Sequence, residues 1–152
     1  MKFIVVGFGI QGKKRKYILG KSCTAVVDKF NLKQSGYKNI EQVPLGLYES
    51  VILCVPDDKK LQIINYCIQN KKNVLVEKPL IFDELSKLKD LEKRAKRNGV
   101  LLLTAYNHRF EKSLISLKSI VTKNKMGKIY NCKIQYLNGT AKNVYKTWRD
   151  RK

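Results

Sequence analysis

Short apolar runs rich in β-branched residues alternate along the chain with segments of helical spacing. The runs lie at 2–6, 23–28, 51–55, 73–77 and 100–105. Each run is continuous rather than alternating, so we predict strands buried on both faces, as in a parallel sheet. Apolar residues three to four positions apart predict helices over 57–70, 83–98 and 111–124. The pattern therefore predicts an α/β fold with a doubly wound, mostly parallel sheet.

Two segments depart from this alternation. Residues 29–50 are interrupted by Gly36, Pro44 and Gly46, so we expect a degenerate or missing crossover helix there. Residues 128–138 alternate polar and apolar positions, which predicts a half-exposed antiparallel strand. Because one strand cannot form a domain, we predict a complete domain over 1–126 and the start of an incomplete second domain over 127–152. The unpaired strand edge would favour self-association.

The composition is that of a folded but strongly basic chain. Hydrophobic residues make up 43% of the 152 residues, which argues against disorder. The net charge is +20, but most of the basic residues are Lys and they fall on nearly every predicted element. Scattered Lys is typical of a solvated surface, whereas nucleic-acid grooves favour Arg. A basic nucleic-acid-binding protein is therefore kept only as a second alternative, and no nucleic-acid partner is expected.

Cysteine and hydropathy patterns bear on cofactors and location. No C-x-x-C pair occurs and the chain has a single histidine, so no metal site is predicted. No apolar run reaches the roughly 18 residues that a membrane span needs, and the N-terminus does not resemble a secretory signal. We therefore predict a cytoplasmic protein with reduced thiols and no membrane partner. The thiols are Cys23, Cys54, Cys67 and Cys132.

The first motif with a chemical meaning is G-F-G-I-Q-G at residues 7–12, which follows the first predicted strand and opens a helix. In that context it is typical of a dinucleotide-binding turn. Gly7 permits the tight turn, Gly9 lets the backbone approach a pyrophosphate, and Gly12 lets the helix pack close to the strand. The pyrophosphate would lie on free helix N–H groups. The turn contributes Gly7, Phe8, Gly9, Ile10, Gln11 and Gly12 to the predicted site.

An acidic residue completes this turn. Asp28 ends the second predicted strand, where it would bond the adenosine ribose hydroxyls and repel a 2′-phosphate. This favours NAD over NADP as the cofactor, although the adjacent Lys29 leaves NADP open. The basic residues 13–16 are interpreted as a solvated helix face.

Two further motifs stand at strand ends. Lys78 lies in V-L-V-E-K-P at 74–79, at the carboxyl end of a parallel strand, where ligands bind in open sheets. A cis bond between Lys78 and Pro79 would aim the Lys side chain, although the segment is equally read as a strand end with a proline stop. In A-Y-N-H-R-F at 105–110, a lone His108 is more often structural than catalytic.

Together these motifs resemble the glucose-fructose oxidoreductase and inositol dehydrogenase family. The resemblance rests on G-F-G-I-Q-G, the V-P after the middle strand, V-L-V-E-K-P-L and N-H-R-F, in the family's order and spacing. G-K-I-Y at 127–130 is similar to the family's entry into its second domain. N-G-T-A at 138–141 and W-R-D at 148–150 are similar to members that act on sugars or sugar nucleotides. The resemblance implies hydride transfer between NAD or NADP and a sugar carbon.

The resemblance also implies residue roles. Lys78 would be the catalytic residue that bonds the reacting sugar hydroxyl and the nicotinamide ribose, with Glu77 and Pro79 positioning it. After the middle strand, Cys54, Val55 and Pro56 would line the cofactor channel. Asn107 would lie near the nicotinamide, and Trp148 and Arg149 would close over the cofactor from the second domain.

The departures from the family limit what this chain is expected to do alone. Many members carry a His four residues after the V-P proline, and here that position is Lys60. The family's glycine-rich stretch with its acid–base Asp and His follows W-R-D and is not in this sequence. We therefore expect the NAD(P)-binding domain of a sugar oxidoreductase, incomplete and inactive alone. The alternative is a non-catalytic NAD-binding sensor or accessory module.

Overall fold

A computed structural model of the chain describes residues 1–31 and 33–135. The predicted site residues Trp148 and Arg149, with the N-G-T-A and W-R-D motifs, lie outside the described residues. The chain divides into two compact units, Met1–Asn107 and a second that begins at His108. The domain division predicted after residue 126 stays a prediction.

The first unit is built on a five-stranded parallel sheet, as predicted. Its strand order is β2-β1-β3-β4-β5, so the two strands that flank the glycine motif are neighbours. Each predicted run forms one strand, shortened by one to three residues. The strands are β1 Phe3–Val6, β2 Cys23–Val27, β3 Ser50–Leu53, β4 Asn73–Val76 and β5 Leu102–Thr104.

Helices connect the strands wherever helical spacing predicted them. In the first unit they are α1 Ile10–Leu19, α2 Asp57–Gln69 and α3 Leu85–Arg97. Between β2 and β3 the described residues, 28–31 and 33–49, form two 3₁₀ turns, at Ile40–Gln42 and Leu45–Leu47, and no α-helix, as predicted for this segment. Further 3₁₀ turns lie at Gly20–Ser22 and Asn107–Phe110. In the second unit, α4 spans Lys112–Thr122.

The helices cover both faces of the sheet. Successive side chains of a strand point to opposite faces. On β1, Ile4 and Val6 belong to the main apolar core together with Ile64 of α2 and Leu91 of α3. Val5, between them, is fully buried on the other face, beneath α1. This arrangement confirms the doubly wound fold.

Two expectations were wrong for particular segments. The edge strand β5 is not buried on both faces, because Leu103 is 47% exposed and the described residues place a neighbouring strand on one side of β5 only. Residues 128–135 of the predicted strand 128–138 form no strand, and 136–138 lie outside the described residues. Polar–apolar alternation produces a strand only where a neighbouring strand supplies hydrogen bonds, and no strand within 1–31 and 33–135 pairs with residues 128–135. Self-association through this segment stays a prediction.

None of the helices within 1–31 and 33–135 is long and apolar enough to cross a membrane.

Candidate functional site

The predicted site residues of the first unit lie along the carboxyl edge of the sheet. The strands are in register so that Val27, Val6, Leu53 and Val76 form one row across β2, β1, β3 and β4. The residues that follow this row carry the candidate chemistry, namely Asp28, Gly7, Cys54 and Glu77 with Lys78. Strands lie about 4.8 Å apart, so Asp28 and Lys78 are separated by three intervals, roughly 14 Å. An extended two-nucleotide ligand has that reach.

The glycine turn has no room for side chains at two of its positions, Gly7 and Gly12. Gly7 has φ +90°, and a Cβ there would lie 2.5 Å from the carbonyl oxygen of Cys54. A Cβ on Gly12 would overlap the carbonyl oxygen of Gly7, because α1 begins directly against the turn. The backbone N–H of Gly7 donates to the Val27 carbonyl at 2.8 Å, which ties the turn to β2. Side chains at these two positions are excluded by the protein itself.

Gly9 differs from its two neighbours in the motif. Its φ is −72°, and a Cβ there would meet no atom within 4 Å. The protein's own packing therefore does not require glycine at Gly9, whereas a ligand lying against the backbone would. Gly9 is the N-cap of α1; no side chain caps this helix end and no acidic residue stands in its first turn. Uncapped N–H groups with a helix dipole favour an anion, so this end of α1 fits a pyrophosphate.

Asp28 is anchored by backbone donors beside the glycine turn. One carboxylate oxygen accepts the N–H of Phe8 at 2.6 Å, and the other accepts the N–H groups of Phe30 and Asn31, both at 2.8 Å. Partial burial acts to raise the pKa of Asp28, but these hydrogen bonds outweigh it and lower that pKa below its ordinary value. Asp28 is therefore ionised at neutral pH, and it also joins the glycine turn to the loop after β2.

A basic residue on α1 that was interpreted as solvated is instead paired. Arg15 Nε donates to Glu77 Oε1 at 2.7 Å, and a terminal nitrogen of the guanidinium lies 2.5 Å from the same oxygen. The two side chains are only 20% and 12% exposed. The solvated-face interpretation of 13–16 is therefore wrong for Arg15. The partner is 62 residues away in the sequence, so no local pattern indicated it.

Lys60, noted in the sequence only as a departure from the family, is buried in the structure. It is 2% exposed, and its ammonium donates to Asp57 Oδ1 at 2.7 Å. It also donates to two backbone carbonyls, of Glu77 at 2.7 Å and of Pro79 at 2.5 Å. A sequence signal existed, because Lys60 shares a helix face with the buried Ile64 and Cys67.

The E-K-P segment presents its lysine outward. The Lys78–Pro79 peptide bond is cis, as the sequence suggested. Lys78 is exposed at the end of β4, while Glu77 and Pro79 on either side are partly buried. Asn107 is also exposed, in the 3₁₀ turn that follows β5. The structure thus places Lys78, as an exposed residue, at the edge of the sheet that also carries the glycine turn.

The residues after β3 lie between the glycine turn and the E-K-P segment along the edge of the sheet. Burial, followed in effect by the nearby carboxylate of Glu77, raises the pKa of the Cys54 thiol to about 12. Cys54 is therefore a neutral thiol at physiological pH and no candidate nucleophile. Val55 is partly buried and Pro56 is the exposed N-cap of α2. These three residues can supply a wall to a ligand but no charge.

Elsewhere, His108 contacts Glu111 three residues on, with Nδ1 2.5 Å from Oε1. The described part of the chain contains no group of three or more His, Cys, Asp or Glu side chains placed to hold a metal ion.

A parallel sheet with an uncapped glycine turn between β1 and α1 and an ionised Asp after β2 defines the dinucleotide-binding Rossmann class. The family comparison agrees: the profile described as the oxidoreductase family, NAD-binding Rossmann fold, matches residues 1–106. The chain belongs to this family, which confirms the resemblance seen in the sequence.

Two curated relatives illustrate the chemistry found among similar proteins. Myo-inositol 2-dehydrogenase of Thermotoga maritima is 29% identical over 80 residues, 53% of this chain and 24% of the relative. Glucose-6-phosphate 3-dehydrogenase of Bacillus subtilis is 29% identical over 124 residues, 78% of this chain and 35% of the relative. The matched segments thus cover only 24% and 35% of the length of these relatives.

Solved structures agree on the fold. An apo scyllo-inositol dehydrogenase from Lactobacillus casei superposes with a TM-score of 0.71 at 18% identity, covering 85% of this chain and 43% of that one. UDP-N-acetylglucosamine 3-dehydrogenase from Acidithiobacillus ferrooxidans superposes with a TM-score of 0.66 at 18% identity, covering 78% and 42%. At these identities the superpositions establish the architecture and leave the substrate to other arguments.

Proposed function

We propose that residues 1–107 bind NAD in an extended form across the carboxyl ends of β2, β1, β3 and β4, as the cofactor half of a sugar dehydrogenase. The observation that carries this proposal is the position of Gly9, an open glycine at the uncapped N-terminus of α1. It lies between an ionised Asp28 on one side and an outward-facing Lys78 on the other. A pyrophosphate, an adenosine ribose and a nicotinamide ribose would meet these three groups in order.

In this proposal, different residues of the chain contact different parts of NAD. The N–H groups at the start of α1 hold the pyrophosphate oxygens, because they have no intrahelical partner. Asp28 accepts from the ribose hydroxyls and disfavours a 2′-phosphate, which favours NAD over NADP. Arg15 withdraws the Glu77 carboxylate into an ion pair, so that the neighbouring Lys78 ammonium faces the ligand. Cys54, Val55, Pro56 and Asn107 would line the nicotinamide side.

Bound NAD would supply a hydride acceptor, and Lys78 would contribute an ammonium that donates to the alcohol oxygen of the substrate. The substrate class is a sugar or sugar-nucleotide carbinol, supported by the names of the relatives. A proton acceptor is also required, and we assign none of the described residues to that role. We therefore expect the 152-residue chain to bind NAD without appreciable turnover. Its free cysteines support a cytoplasmic location.

The test is calorimetric titration of the chain with NAD and NADP, comparing Gly9→Val with Gly46→Val. Both glycines are exposed with no atom within 4 Å of a built Cβ, but only Gly9 lies at the helix N-terminus. Gly9→Val should weaken NAD binding by at least about tenfold through loss of the contacts to the pyrophosphate. Gly46→Val should leave it unchanged. Equal weakening by both variants, or tighter binding of NADP, would contradict the proposed site or the role of Asp28.

A second measurement separates the enzyme from the sensor or accessory alternative. Absorbance of reduced nicotinamide is followed with NAD and a panel of sugars and sugar nucleotides. Turnover that is lost in Lys78→Met would show that this chain already holds a proton acceptor. NAD binding without turnover by the chain, and with turnover in a protein that continues past residue 152, would support the cofactor-half assignment.

A further inference from the structure

The ammonium of Lys60 is unusual because all three of its N–H donors are used inside the protein. One goes to Asp57 on its own helix, and the other two go to the carbonyls of Glu77 and Pro79. The side chain is 3% exposed, whereas that of Asp57 is 38% exposed. A buried ammonium carries a large desolvation cost unless it is fully hydrogen-bonded. The position of the Lys60 ammonium is therefore set by these three acceptors, two of which are backbone carbonyls of the E-K-P segment.

The two carbonyls flank Lys78 in the sequence. Holding residue 77 and residue 79 by their backbones fixes the direction in which the intervening side chain leaves the chain. Lys78 itself is exposed and has a long flexible stem, so its own packing does little to restrict it. Arg15 binds the side chain of Glu77, and the Glu77 N–H donates to the Leu53 carbonyl at 2.9 Å as part of the sheet. The bonds to the carbonyls of Glu77 and Pro79 are the contribution of Lys60.

We propose that Lys60 is a positioning residue that acts through Lys78, by clamping the carbonyls of Glu77 and Pro79 from beneath the site. This inference rests on the proposed function, in which Lys78 contacts the nicotinamide ribose. Lys60 touches neither cofactor nor substrate. Its removal therefore affects the nicotinamide half of the ligand and leaves the adenosine half unaffected.

The experiment compares NAD with ADP, which has the adenosine and pyrophosphate but lacks the nicotinamide ribose. Affinities for both are measured by calorimetry on the full 152-residue chain, for wild type, Lys60→Met, Lys78→Met and the double variant. Lys59→Met is the matched control, since Lys59 neighbours Lys60 on α2 but is 64% exposed. The readout is the ratio of NAD affinity to ADP affinity, which a general loss of stability does not change.

Lys78→Met should lower this ratio by about tenfold, as for loss of a hydrogen bond from a charged group. Lys60→Met should lower it by most of that factor, with ADP affinity unchanged. Because Lys60 acts through Lys78, the double variant should show no more loss than Lys78→Met alone. Lys59→Met should behave as wild type.

An unchanged ratio in Lys60→Met, with a lowered ratio in Lys78→Met, would overturn the inference and leave the proposed function intact. Fully additive losses would also overturn it. An unchanged ratio in Lys78→Met would overturn the role of Lys78 and, with it, that of Lys60. If circular dichroism shows that Lys60→Met is unfolded, Lys60→Gln keeps two N–H donors and most of the stem. The proposal is supported if Lys60→Gln alone lowers the ratio and the double variant Lys60→Gln/Lys78→Met has the same ratio as Lys78→Met. Additive losses in the double variant would overturn it.

Discussion

The glycine turn and the E-K-P segment stand at the ends of strands in the same sheet, yet opposite means hold them in place. The turn is shaped by missing side chains, since a Cβ on Gly7 or Gly12 would meet backbone carbonyls. The E-K-P segment is held by added side chains, because Arg15 binds the Glu77 carboxylate and Lys60 binds two carbonyls. Steric exclusion therefore fixes the conformation of the glycine turn, and charged side chains fix that of the E-K-P segment.

This difference has a consequence for how each half responds to change. Steric exclusion is insensitive to salt and pH, and a single added methyl group violates it. A hydrogen-bonded charge tolerates small movements but depends on both partners and on the surrounding ions. We therefore expect the pyrophosphate end to fail abruptly on substitution, and the nicotinamide end to weaken gradually.

The largest expected effect is that of Gly12→Ala on folding. Its Cβ would overlap the Gly7 carbonyl oxygen, and α1 would have to move away from β1. We expect a loss of at least about 4 kcal/mol in the free energy of unfolding, or no folded protein. Gly46→Ala, in open space, should change it by less than about 1 kcal/mol. Urea denaturation measures both, and a Gly12→Ala protein as stable as Gly46→Ala would contradict the steric account.

The same difference explains how much of the molecule could be predicted from its sequence. The glycine turn is local, so Gly7 to Gly12, the strand before it and Asp28 after β2 were all predictable from one motif and its spacing. The E-K-P supports come from residues 15 and 60, which reach the segment only through the fold.

The sequence also did not show which strand would lie at the edge of the sheet. The run at 100–105 is as apolar as the central strands, but Leu103 is exposed because the described residues cover only one edge of β5. The alternation at 128–138 predicted a strand, but residues 128–135 pair with no strand in the part of the chain that the structure describes. Local pattern predicts which segments can pair, whereas burial and pairing depend on what lies next to them.

A smaller effect is expected for the Arg15–Glu77 pair. A double-mutant cycle with Arg15→Met and Glu77→Gln should give a coupling free energy of about 1 to 2 kcal/mol, because both side chains are largely buried. The matched control is Arg94 with Asp90, an i,i+4 pair whose side chains are 40% and 64% exposed. Its coupling should be only about 0.3 to 0.5 kcal/mol. Equal couplings for the two pairs would mean that burial adds nothing at the E-K-P segment.

The smallest expected effect concerns Asp28, the residue where the steric and electrostatic halves of the site meet. Its carboxylate accepts the N–H of Phe8 in the glycine turn, and the hydrogen bonds lower its pKa in the folded protein. A lowered folded pKa means that the unfolded chain binds the proton more tightly, so stability rises with pH through this range. The contribution is complete above the unfolded value of about 3.9 and is lost as pH falls through the lower folded value.

Asp28→Asn removes that charge while keeping the size of the side chain. The free energy of unfolding should therefore differ between wild type and variant by a constant amount above about pH 5, and the difference should shrink as pH falls below about 4. Urea denaturation at several pH values measures it, with Asp58→Asn on the exposed start of α2 as the control for general acid sensitivity. A difference that stays the same down to acid pH would show that the Asp28 charge does not stabilise the turn. The hydrogen bonds to Phe8, Phe30 and Asn31 would then act through geometry alone, and the glycine turn would be steric throughout.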